Sequence, residues 1–229
     1  SGSVLTRPAW FMDVAQQGEG IVDVNTHLVD LIQWECFPEQ IIDYKKDIKL
    51  TSAKRWSTDM SLSQFKDITQ LEQFPDYLKK DITGEVLKVY SNGEINYTIK
   101  GVHAKASVIW AYKAPEGGGD THFSIMRGTK ANLVIRQGAE QKYQPVLSIE
   151  PAKYSADFEQ KLKAAVAKIA LKFPGIEVQK TDKGWDVIVP DKYKDGHEAH
   201  FGLVAQRYIQ YLKDGKLPVW EVPNMLAKY

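Results

Sequence analysis

Residues 122–136 read HFSIMRGTKANLVIR. Two runs, His122–Arg127 and Ala131–Arg136, stand either side of Gly128-Thr129-Lys130, and so short a break leaves no room for a crossover helix. The pattern extends both ways. Upstream, Val86–Tyr90 and Ile95–Ile99 flank Ser91-Asn92-Gly93-Glu94, where an Asn-Gly between alternating runs predicts a hairpin. Val102–Tyr112 then reaches His122 through Glu116-Gly117-Gly118-Gly119-Asp120, and Val146–Ile149 adds a strand downstream. Successive strands joined by short turns predict an antiparallel meander.

Helical spacing brackets this stretch. Phe158, Leu162, Ala165, Val166, Ile169 and Phe173 recur at a 3.6-residue period, which predicts a helix over Ala156–Phe173 ended by Pro174-Gly175. A hairpin follows, Ile176–Thr181 and Trp185–Val189, and then a helix over His197–Lys213, stopped by Gly215 and Pro218. The tail Leu217–Tyr229, with Trp220, Val222, Met225 and Leu226, is too apolar to trail free and is expected to pack back. Ahead of the meander, Pro8–Val14 reads as a short strand. Ile21–Glu35 reads as a helix that stops before Pro38. Ile41–Leu50 reads as a strand, and Lys54–Asp81 as irregular chain with short helices at Leu62–Ile68 and Asp76–Asp81. The expectation is an α+β fold: one domain over 1–229, with a mainly antiparallel open sheet and helices packed on one face.

Composition narrows the function classes. Thirty Lys+Arg against 29 Asp+Glu leave a net charge of +1, so no basic excess points to nucleic acid. No apolar run approaches the ~20 residues of a membrane span. The single cysteine, Cys36, rules out a disulfide framework or Cys-rich zinc module, so no metal is expected, and it fits a cytoplasm or a periplasm equally. Ser1-Gly2-Ser3 reads as linker, and the natural N-terminus is expected upstream.

The first helix carries the chemistry. At 100° per residue, Asp23, His27, Asp30 and Trp34 fall within roughly a 60° wedge. The rest of the cylinder is largely apolar (Ile21, Val22, Val24, Leu28, Val29, Leu31, Ile32), which predicts a buried helix. Buried carboxylates and an imidazole must pair or face a cleft. Asp23 and His27 stand one turn apart, where a carboxylate can orient the ring for general acid–base work. A hydrogen-bonded structural network fits the same spacing.

The stretch QGEGIVDVNTHLVD, residues 17–30, resembles the G-G-G-x-x-x-D-x-x-x-H-x-x-D segment of the glucose–fructose oxidoreductase and inositol dehydrogenase family. Arg7–Phe11, Trp34–Gln40 and the tail Pro218–Tyr229 are similar to a bacterial subgroup, the putative oxidoreductase C-terminal domain. The resemblance implies the substrate-side domain of an oxidoreductase using NAD or NADP, with the cofactor bound mainly by an N-terminal Rossmann domain. It implies a sugar or polyol-like substrate and a homo-oligomer. Asp23 and His27 would be the catalytic proton-relay pair, with Asp30 in support. Gln17-Gly18-Glu19 stands where the family has three glycines. No G-x-G-x-x-G between a strand and a helix and no Glu-Lys-Pro occurs in the sequence, and both belong to the expected upstream domain.

Other residues have competing readings. His197 and His200 are three apart, not the four of a zinc H-E-x-x-H, and share an apolar face with Phe201, Val204 and Tyr208, which predicts packing. A substrate-side role for His200 stays open, as does stacking of Trp10 on a sugar. His103 and His122 read as sheet-face residues, Cys36 as a small buried hydrophobe, and Lys45-Lys46 and Lys79-Lys80 as solvated surface. Two alternatives stand beside the dehydrogenase: a non-catalytic carbohydrate-binding or oligomerisation module, and a domain of a redox-assisted glycosidase.

Overall fold

The computed structural model describes residues 6–229. Residues up to Tyr112 together with Asp214–Tyr229 form one compact unit, and Lys113–Lys213 form a second. The first unit opens on a 3-10 turn, Ala9–Met12, and a single helical turn α1, Val14–Gln17. Helix α2 (Asn25–Cys36), strand β1 (Ile48–Ser61) and helix α3 (Leu62–Thr69) follow. Strands β2 (Ile82–Thr83), β3 (Val86–Ile99) and β4 (Val102–Val108) complete an antiparallel sheet. Strand β3 is its centre, paired with β1 on one side and with β2 and β4 on the other.

The Asn-Gly does not turn. Strand β3 runs straight through Asn92-Gly93 against the equally long β1. The pairing Trp56↔Asn92 followed by Thr58↔Val89 leaves one extra residue on β3, a bulge at Tyr90-Ser91. One extra residue reverses which face of the sheet each later side chain meets. Before the bulge, Leu87 and Val89 join a core with Met12, Met60, Phe65 and Leu78. After it, Tyr97 and Ile99 join a different core with Phe37 and Ile42. The two cores therefore lie on opposite faces of one sheet. Asn92 is consumed inside the fold: its Oδ1 accepts from the Trp110 N–H at 2.7 Å, and its Nδ2 donates to Thr58 Oγ1 at 2.9 Å.

Three other local expectations change. Pro8–Val14 is 3-10 and helical turn, not strand, because Asp13 caps α1 through the Ala15 N–H. Ile41–Asp47 does not begin a strand, since the Asp43 carboxylate accepts from the Lys45 N–H and Asp47 from the Asp43 N–H, holding a turn. Lys54–Ser61 is strand, not irregular chain. The tail packs back as expected. In the C-terminal helix, Glu221–Lys228, Asn224 accepts from the Ile42 N–H and donates to the Gln40 carbonyl, each at 2.9 Å.

The second unit contains the strands β5 (His122–Arg127), β6 (Ala131–Gln137) and β7 (Val146–Pro151), then helix α4 (Ala156–Lys172). Strands β8 (Glu177–Thr181) and β9 (Gly184–Ile188) precede helix α5 (His197–Asp214). The antiparallel sheet has the order β5-β6-β7-β9-β8. Trp185 is its buried anchor, stacked on Tyr154 with ring centres 5.5 Å apart and tilted against Phe158 of α4 at 5.7 Å. Gly184 must be glycine, since a Cβ there would lie 2.1 Å from the Ile149 carbonyl oxygen. Two open antiparallel sheets with flanking helices make the molecule α+β.

Candidate functional site

The site begins in the loop that enters α2. Asp13 is buried, and its carboxylate accepts from the Ala15 N–H, from Gln16 Nε2 at 2.9 Å and from Lys80 Nζ at 3.1 Å. The Gln16 hydrogen bond, with help from Lys80 and against the cost of burial, holds its pKa below the usual carboxylate value. This clamp fixes α1, which ends at Gly18 with φ +96°.

The next contact sets the position of everything after it. A Cβ on Gly20 would stand 1.8 Å from the Ser91 carbonyl oxygen, so the loop lies directly on the β3 backbone. A Cβ on Gly93 would stand 2.0 Å from Ile21 Cγ1, so β3 opens a seat for Ile21. The Gly20 carbonyl accepts from the N–H groups of Val24 (3.2 Å) and Asn25 (3.0 Å), and the Glu19 carbonyl from those of Val22 and Asp23. A turn thus feeds α2, which starts at Asn25, four residues later than the apolar pattern predicted. Glu19 pairs with Arg55 of β1, whose guanidinium lies 4.8 Å from the Tyr90 ring centre.

Helix α2 is not buried all round. Asn25, Val29 and Gln33 form its buried face, while Leu31 and Trp34, like Val22 and Val24 in the turn before it, are exposed, Trp34 at 59%. Sheet docking chose a face that apolarity alone did not identify. Among the described residues the buried amides of Asn25 and Gln33 have no hydrogen-bond partner, which costs about 1–3 kcal/mol for each such group. Cys36 is half-buried against the Phe37 and Tyr97 core, where burial, and then Glu35, raise its pKa.

The polar wedge therefore faces outward. Asp23 and His27 are exposed and Asp30 is half-buried, 3.8 Å from Lys228 Nζ. The Asp23 carboxylate accepts from Gln17 Nε2 at 3.2 Å, and its carbonyl accepts from Thr26 Oγ1 at 3.0 Å. No hydrogen bond or ion pair among the described residues joins Asp23 to His27. Trp10 is exposed on the first 3-10 turn, 6.4 Å from the Phe11 ring. His200 is exposed on α5 in the second unit, where Phe201, Val204 and Tyr208 are also exposed. Gln17, Glu19 and Arg55 were not singled out by sequence reasoning. The place of Gln17-Gly18-Glu19 in the motif was the available signal.

Two clefts, of about 390 Å³ and 260 Å³, lie in the second unit. Arg136, Ser148, Glu150 and Asp186 line the larger, with Ser148 Oγ donating to Asp186 at 2.6 Å, and no α2 residue borders either. The described residues contain no group of three or more His, Cys, Asp or Glu arranged to hold a metal, and no helix long and apolar enough to cross a membrane. Gly117-Gly118-Gly119 does not make a helix-capped phosphate loop. It folds as a turn, Gly118 N–H on the Pro115 carbonyl, and a strand follows it instead of a helix N-terminus. Gly20 is already occupied by Ser91.

The chain belongs to the family of the putative oxidoreductase C terminal domain, whose model matches residues 1–229. It superposes with a TM-score of 0.94 on the crystal structure of a putative oxidoreductase from Parabacteroides merdae ATCC 43184, solved at 2.23 Å, at 59% identity over 98% of this chain. The chain spans about half of that protein, 52% of its length. No curated protein matches the chain.

Proposed function

We propose that residues 1–229 act as the substrate-side C-terminal domain of an NAD(P)-dependent oxidoreductase working on a sugar or polyol-like alcohol. The observation that carries this reading is the outward placement of Asp23 and His27 on a loop and helix seated on β3 by Gly20 and Gly93, in a member of an oxidoreductase C-terminal family. The nicotinamide, held by a Rossmann partner domain, supplies the hydride acceptor. This chain's part is the proton. His27 takes the hydroxyl proton of the substrate as its carbon is oxidised, and Asp23 orients the ring once substrate closes the site. Gln17 keeps the Asp23 carboxylate at the helix entrance meanwhile. Asp30 and Trp10 are offered as substrate-side contacts.

The test uses the longer protein with NAD or NADP and a panel of sugars and polyols, following absorbance at 340 nm. Substrate-dependent reduction supports the reading. Product formed with no net reduction indicates redox-assisted glycoside cleavage. Carbohydrate binding with no turnover, unchanged by Asp23→Asn and His27→Ala, indicates a non-catalytic module.

A further inference from the structure

Lys228 brings a cation to the polar wedge of α2. It is the last residue of the C-terminal helix, and its Nζ lies 3.8 Å from Oδ1 of Asp30, three residues after His27. The two side chains are only 21% and 34% exposed, whereas a lysine ordinarily keeps its ammonium in open water. The ion pair is not needed to dock that helix. Asn224 already ties it to Ile42 and Gln40, and Ala227 packs against the core of Phe37, Ile42, Tyr97 and Ile99.

The pair is also incomplete. Charge-assisted hydrogen bonds run to about 2.9 Å, so at 3.8 Å the ammonium and carboxylate attract each other without bonding. Among the described residues, neither Lys228 Nζ nor the Asp30 carboxylate makes a hydrogen bond, and the ammonium's other neighbour is the Tyr229 ring, its centre 5.1 Å away. An ammonium only donates and a carboxylate only accepts, while a hydroxyl does both. A hydroxyl oxygen about 2.8 Å from each closes a triangle over the gap, accepting from Lys228 and donating to Asp30. His27 and Asp30 stand one turn apart, about 5–6 Å between Cβ atoms, a separation from which both side chains can reach adjacent hydroxyls of one sugar or polyol. We propose that Lys228 and Asp30 bind the hydroxyl beside the one that His27 deprotonates, so that the substrate is a vicinal diol. The role of His27 in this rests on the proposed function, whereas the hydroxyl clamp rests on the pair itself.

The test compares the longer protein with its Lys228→Met and Lys228→Arg variants, using the panel of sugars and polyols, each hexose beside its monodeoxy forms. Methionine keeps the apolar stem and removes the donors. The expected result is a KM raised about tenfold or more in Lys228→Met, with the smaller effect on kcat, and partial recovery in Lys228→Arg. Removing so exposed a pair should leave Tm within about 2 °C. The monodeoxy analogue lacking the neighbouring hydroxyl should lose about tenfold in wild type and nothing further in Lys228→Met. An unchanged KM in Lys228→Met, or the same loss for that analogue in both proteins, overturns the proposal. If no sugar of the panel reduces the nicotinamide, the proposed function fails, and calorimetric titration of the same sugars decides the clamp alone. Affinity lost in Lys228→Met then upholds it, and equal affinity in the two proteins, or binding to neither, overturns it.

Discussion

Gly20→Ala probes the contact on which the position of Asp23 and His27 depends. The new Cβ falls 1.8 Å from the Ser91 carbonyl oxygen, 2.7 Å from its carbon and 3.0 Å from Val108 Cγ1. Ordinary contact begins near 3.4 Å, so loop or strand must move by roughly 1.6 Å, and both are backbone. The loop cannot move alone, because the Gly20 carbonyl holds the N–H groups of Val24 and Asn25 at the start of α2. Strand β3 is equally constrained as the centre of its sheet. A cost of about 3 kcal/mol is expected, at the upper end for overpacking. For a chain of this size that lowers Tm by roughly 6–12 °C. Differential scanning calorimetry reads it directly, with Gly202→Ala as control. Gly202 is exposed in α5 with nothing within 4 Å of a Cβ, so alanine there is neutral or raises stability by up to about 1 kcal/mol. A Gly20→Ala protein melting within about 2 °C of wild type would refute the reasoning.

Three further perturbations follow from the same geometry. Gly93→Ala places a Cβ 2.0 Å from Ile21 Cγ1 and is expected to cost about 2–3 kcal/mol, of which Ile21→Ala recovers at least 1 kcal/mol in a double-mutant cycle; additive losses would disprove the seat. Burial, with a smaller push from Cys36, raises the Tyr97 pKa to about 12. The folded state therefore keeps the proton longer than the unfolded chain, and the stability this gives is complete below about pH 10 and lost as pH rises towards 12. Urea midpoints should fall more steeply over that window in wild type than in Tyr97→Phe, and parallel curves would contradict the burial. The Asp13 pKa is lowered, so its contribution is present above the ordinary carboxylate value and is lost as pH falls through the lowered one. Asp13→Ala is expected to cost about 1–2 kcal/mol at pH 7, and its gap from wild type to close below about pH 4. A gap constant from pH 7 to pH 3 would remove the clamp from the account.

The second unit was legible because its signals were local. The strands either side of Gly128-Thr129-Lys130, the helix from Ala156 and the hairpin at Asp182-Lys183-Gly184 all lie within a residue or two of where pattern put them. The first unit was not, because its decisive events are long-range. Asn92-Gly93 has the chemistry of a turn, yet Asn92 satisfies Trp110 and Thr58, and Gly93 makes room for Ile21. Leu87 and Val89 share odd numbering with Tyr97 and Ile99, which suggests one face, but the bulge puts them on two. In the site, the spacing of Asp23 and His27 was readable, whereas their exposure was not. Apolar residues surround α2, and only the docked sheet selects Asn25, Val29 and Gln33 as the buried side. The partners of Asp23 and Glu19, namely Gln17 and Arg55, emerge only from the folded loop.

The most direct test of the central claim is the single-turnover rate of the longer protein, wild type against His27→Ala, at saturating substrate and across pH. A proton-relay role predicts a fall in kcat of about 10²-fold or more, loss of the pH-dependent limb that the imidazole provides, and little change in substrate binding. A His27→Ala enzyme turning over at the wild-type rate, with the same pH profile, would contradict the assignment and leave α2 a structural helix.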